Sequence, residues 1–101
     1  MIQQGDILFN RVNSIPKTAK IVKRSPKGFV FAEGEVTGHA HITTADIELF
    51  EHNGTLYMRN ALPIEVEHEE HGTVTVPEGE WEVGRVVEYD PFKEAIEAVR
   101  D

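Results

Sequence analysis

Four of the five histidines fall in two short segments, Gly38-His39-Ala40-His41 and His68-Glu69-Glu70-His71. Imidazole nitrogen and carboxylate oxygen are the donors that hold zinc, manganese, iron or nickel, so His39, His41, His68 and His71 are the candidate metal ligands. On a strand, residues two apart share a face. His39 and His41 therefore project together, with Thr37 and Thr43 beside them and Val36, Ala40 and Ile42 turned to the core. His68 and His71 are three apart and converge only if the chain turns there, which Gly72 favours. Glu69 and Glu70 then stand close enough to act as ligand, as base toward metal-activated water, or as partner fixing an imidazole tautomer. A plainer reading leaves the first pair as polar residues on a solvent-facing strand, and makes His68 the hydrogen-bonded end of the apolar face Ile64-Val66. Spacing alone does not decide between them.

The elements that must position these residues are mostly strands. Runs of β-branched and aromatic residues, broken by turn residues, cover Ile7 to Val12, Ala19 to Lys23, Phe29 to Ala32, residues 35 to 43, Asp46 to Glu51, 55 to 60, the alternation from Ile64, Thr73 to Val76, and Trp81 to Tyr89. His52-Asn53-Gly54-Thr55 carries the Asn-Gly signature of a two-residue hairpin turn, which gives His52 a place beside a turn tip and no role in the metal set. Trp81 and Tyr89 read as core anchors. Asp90 as cap, Pro91 at the first helical position and Phe92, Ile96 and Val99 on one stripe predict a helix at about 91–100. The expectation is one domain over residues 1–101: a small antiparallel β-barrel or sandwich with a single C-terminal α-helix.

Composition narrows the chemistry. With no cysteine among 101 residues, disulfides, iron–sulfur clusters, thiolate zinc and a cysteine nucleophile are excluded. Ser14 and Ser25 lack a nucleophile elbow, and no phosphate loop or dinucleotide fingerprint is present. The longest apolar runs are a few residues, so a soluble cytoplasmic protein with no membrane partner is expected. Net charge is −8, unfavourable for nucleic acid. The charge is lopsided, however: residues 1–30 hold six cations against Asp6 alone, a balance of +5 that leaves −13 for the rest. That asymmetry suits a solvated basic loop, an acidic partner, or head-to-tail attraction between copies in a homo-oligomer.

Two resemblances bear on these residues. Gly34-(x4)-His39-x-His41 and Gly72-(x4)-Pro77-x-Gly79 resemble the two cupin motifs, which implies a β-barrel holding a metal through His-x-His, a Glu and a later His. The glycine spacing is one residue shorter in each, Glu48 lies far along for the glutamate, and Glu82 occupies the expected histidine position. The string Gly34-Glu35-Val36-Thr37-Gly38-His39-Ala40-His41, with Gln4-Gly5-Asp6, His68-Glu69-Glu70-His71, Pro77-Glu78-Gly79 and Tyr89-Asp90-Pro91, resembles small uncharacterised proteins of bacteria and their phages. It supports the choice of residues and names no reaction. The leading expectation is a metal-binding β-domain, of the kind that assists hydrolysis or isomerisation of a small molecule. The alternative is a non-catalytic self-assembly or protein-interaction module, and a nucleic-acid accessory using residues 17 to 27 ranks below both.

Overall fold

The computed structural model describes residues 1–33 and 38–86. Among them are ten strands: β1 (Ile2–Gln4), β2 (Ile7–Arg11), β3 (Lys20–Val22), β4 (Phe29–Glu33), β5 (Ala40–Thr43), β6 (Glu48–His52), β7 (Thr55–Asn60), β8 (Ile64–Val66), β9 (Val74–Val76) and β10 (Gly79–Arg85). The chain is mainly β, as its alternating pattern predicts. The expected helix at 91–100, with Val87 and Tyr89, lies outside the described residues, as do Val36 and Thr37. No helix among the described residues is long and apolar enough to cross a membrane.

Six strands form one sheet in the order β1-β2-β10-β7-β6-β3, with every neighbouring pair antiparallel. β4 with β5 and β8 with β9 form two small antiparallel sheets. The described part of the large sheet is open, ending at β1 and β3, so a closed barrel is not what these residues build. The cause is visible in the pairing: β4 with β5, and β8 with β9, pair with each other rather than extending the sheet, and they pack side chains into the same buried cluster.

Strand alternation puts Val22, Leu49, Met58 and Trp81 in one row across the inner face of the sheet, with Phe9 and Val83 paired beside it. Phe31, Ile64, Val66 and Val76 from the small sheets complete the buried cluster. Phe9 meets Phe31 edge to face at 5.2 Å, the arrangement aromatic quadrupoles favour. Trp81 and Val83 are buried as their shared face requires, and Trp81 donates its indole N–H to Pro77 O at 3.2 Å. Asn53 and Gly54 have φ of 51° and 80°, the positive angles of the expected hairpin turn. Ile2–Gln4 forms a strand that its three residues scarcely announce, turned into β2 by Gly5-Asp6 with Gly5 at φ 56°.

Candidate functional site

Three separate stretches of chain build the site. β5 carries His41 at its second residue, with His39 just before the strand. Ile42 is joined to Glu67 by a pair of backbone hydrogen bonds, N to O at 2.9 and 2.8 Å, which lays the segment after β8 against β5. Beyond Glu67 the chain bends at 69–71 before entering β9, and this bend turns His68 and His71 to one side. The β1–β2 turn supplies the third stretch, Gln4-Gly5-Asp6.

The four histidines expected from spacing therefore meet. His68 stands centrally, its ring centroid 4.3 Å from that of His41, 4.6 Å from His71 and 5.9 Å from His39. His71 lies nearly parallel to His41, 5.9 Å away. It also rests on Gly5, where a Cβ would fall 2.5 Å from its Nε2. The outcome for the first segment is mixed: Ala40 is buried as the alternation predicts, but His41 and Thr43 are buried as well, and Ile42 is half-buried. The reason is that Gln4 and Asp6 meet the His41 ring, so a polar ring can be enclosed with a polar atom opposite each nitrogen.

His41, only 3% exposed, is the best-defined group of the site. Its Nδ1 is 2.8 Å from Gln4 Oε1, and its Nε2 is 3.0 Å from Asp6 Oδ1. The Gln4 amide is oriented by its other end, whose Nε2 donates to Val66 O at 2.8 Å and Gly72 O at 2.9 Å. Oε1 must then accept, which places a proton on His41 Nδ1. Burial is the main influence lowering the His41 pKa, aided by the charges of His68 and His71, and it outweighs the hydrogen bond and charge of Asp6 that act upward. A neutral His41 with its proton on Nδ1 turns the Nε2 lone pair toward a carboxylate oxygen.

The glutamates hold the segments together. Glu69 Oε2 accepts the Ala40 N–H at 3.0 Å, and Glu70 pairs with His39 Nδ1. Glu69 is held below the usual carboxylate range by the N–H of its own residue first, then by Ala40, His39 and His68. The Glu70 N–H donates to His68 Nδ1 at 3.0 Å, so the neutral His68 ring carries its proton on Nε2. Among the described residues, no three histidine, aspartate or glutamate side chains stand ready in metal-ligand geometry. A shallow cavity of about 310 Å³ by Ile7, Phe31 and Leu56 is elsewhere, whereas one of about 240 Å³ beside the cluster is lined by Ala40, Ile42, Glu67, His68 and Glu69.

Gln4 and Asp6 are the site residues that histidine spacing does not identify. Their signal is Gly-Asp between two β runs, a two-residue hairpin loop with glycine first, which sends the flanking side chains to a defined place. No curated protein and no solved structure matches the chain. A family model matches residues 3–86, covering the large sheet, both histidine segments and the Gln4-Gly5-Asp6 turn, and the chain belongs to that family, Domain of unknown function (DUF8820).

Proposed function

We propose that this chain is a small metal-binding β-domain in which His41 Nε2 and Asp6 Oδ1 are the fixed ligand pair. The observation that carries the reading is the His41 ring itself. Its Nδ1–H is committed to Gln4, and its Nε2 lone pair opposes a carboxylate oxygen across 3.0 Å. Two electron-rich atoms at that distance need a cation between them, and burial disfavours supplying a proton through His41. A divalent ion meets the need after a modest separation of the two atoms. Gln4 then acts as the outer partner that fixes the tautomer of a ligating histidine.

His68 and His71 close the shell by turning their rings, at the cost of the Glu70 N–H bond for His68. His39, paired with Glu70, borders the cluster on the far side of His68. Nitrogen and carboxylate donors suit zinc, manganese, iron or nickel. Asp6 is half-exposed and His71 exposed, leaving a solvent-facing side where a small molecule can meet the ion. That opening is the requirement for metal-assisted hydrolysis or isomerisation. Glu70 fits the role of base better than Glu69, whose low pKa makes it a weak proton acceptor.

Elemental analysis of untagged protein tests the reading. About one transition-metal ion per chain is expected, reduced to background in His41→Ala and strongly depleted in Asp6→Asn. Stoichiometric metal retained by folded His41→Ala, or none taken up by the wild-type chain from any of the four ions, overturns it.

A further inference from the structure

The basic segment of the chain, mostly turns and connections, contains one short strand. Lys20 lies in β3 and Lys23 directly follows it, at one end of the six-stranded sheet, and among the described residues nothing pairs with the outer edge of β3. Lys17, Lys20, Lys23 and Lys27 are all exposed there. β3 pairs with β6 in the register Lys20 to Glu51, Ile21 to Phe50 and Val22 to Leu49. Val22 and Leu49 face the core, so Ile21 and Phe50 must face outward. Ile21 is 73% exposed, although Phe50 and its cross-strand neighbour Tyr57 continue the same row on the outer face. An apolar row thus runs to the sheet edge and stops at an isoleucine in water, flanked by lysines.

We infer that the β3 edge is a docking site for an extended acidic peptide segment of another protein, added as a seventh strand. An incoming strand satisfies the open backbone edge through main-chain hydrogen bonds. An aliphatic or aromatic side chain opposite Ile21 prolongs the Tyr57–Phe50–Ile21 row, a carboxylate one residue along meets Lys20, and Lys23 just past the strand adds to the positive field. Charge and main-chain pairing select this occupant over two others. A second copy pairing through its own β3 sets two lysine-bearing strands side by side, which like charge opposes. Nucleic acid gains nothing from a backbone edge, which offers main-chain donors and acceptors that only a second peptide strand pairs in register. The inference is independent of the metal site, which lies near the other end of the sheet, at the β1–β2 turn.

Fluorescence anisotropy with a short labelled peptide alternating isoleucine and glutamate tests it on the full chain. Saturable binding on the order of micromolar Kd is expected, a range ordinary for such short strands. The same peptide with alternate residues replaced by proline does not bind, because it cannot complete the ladder. Lys20→Gln with Lys23→Gln weakens binding about tenfold, as does salt that shortens the screening length from about 10 Å to about 3 Å. Ile21→Glu abolishes it, with the fold verified by an unchanged unfolding transition. Absence of binding by the isoleucine–glutamate peptide, equal binding of the proline form, or full retention in folded Ile21→Glu overturns the proposal. So does preferential capture of a single-stranded oligonucleotide, or light scattering that shows copies of the chain occupying this edge.

Discussion

His41 is a histidine whose protonation the fold disfavours. Burial is the leading cause and the neighbouring rings of His68 and His71 add to it, against the pull of Asp6. A histidine whose pKa is lowered on folding takes up a proton more readily in the unfolded chain, so protonation favours unfolding. Its stabilising contribution is complete above the ordinary value of 6.5 and is lost as pH falls from there through the lowered folded value. Glu69, also lowered, has the same sign in its own window, beginning near 4.5. Metal-free protein should therefore melt at progressively lower temperature as pH drops below about 6.5. Replacing His41 by Phe should flatten the upper part of that profile. A wild-type melting temperature that rises as pH falls through the histidine range would mean that the Asp6 interaction outweighs burial.

Among the elements, the β1–β2 hairpin positions the site and is the easiest to perturb cleanly. Gly5 holds φ 56°, which costs a residue with a Cβ about 1 kcal/mol, and an added Cβ also meets the His71 ring. The ring can swing aside, so Gly5→Ala should lose only about 1 to 2 kcal/mol of stability. Metal affinity should fall far more than stability does, because His71 is displaced. Denaturant titration and metal competition on the same sample measure both, and unchanged affinity would remove His71 from the ligand set. Local signals in the sequence were sufficient for much of this scaffold: Asn53-Gly54 names its hairpin, and the alternation of Trp81 and Val83 names their buried face. The Gly5-Asp6 turn was as readable, but Ile2–Gln4 is too short to declare itself a strand. What spacing could not reveal is that His41 and His68 meet, since the joining bonds between Ile42 and Glu67 span a stretch with strands of its own. Gln4 and Asp6 escaped for a related reason. Polar residues beside a turn look like turn chemistry until the ring they hold is in view.

For the whole molecule, the site joins three bodies: the large sheet through β1–β2, one small sheet through β5, and the other through the link between β8 and β9. A ligand bound only by the assembled form stabilises all of them together. At a free-ion concentration 100 times Kd, the gain should be about 2.7 kcal/mol, rising with the logarithm of concentration. Thermal unfolding followed separately at Trp81 fluorescence and at backbone circular dichroism should shift upward by the same amount. A shift in one signal without the other would show that the metal steadies only a local segment. The acidic majority of the chain adds to the effect, because a divalent cation relieves part of the repulsion that a net charge of −8 imposes.

The bonds from Gln4 to Val66 and Gly72 span 62 and 68 residues. Contacts of such long range form only after much of the intervening chain is ordered, and they slow folding. During synthesis, the Gln4 amide lacks both of its carbonyl partners until Val66 and Gly72 have left the ribosome, so the His41 tautomer is not fully fixed on a nascent chain that still lacks its second histidine pair. If the proposed ion binds, it is captured late, by a chain already closed on itself, and its uptake would then serve as a clock for the completion of folding.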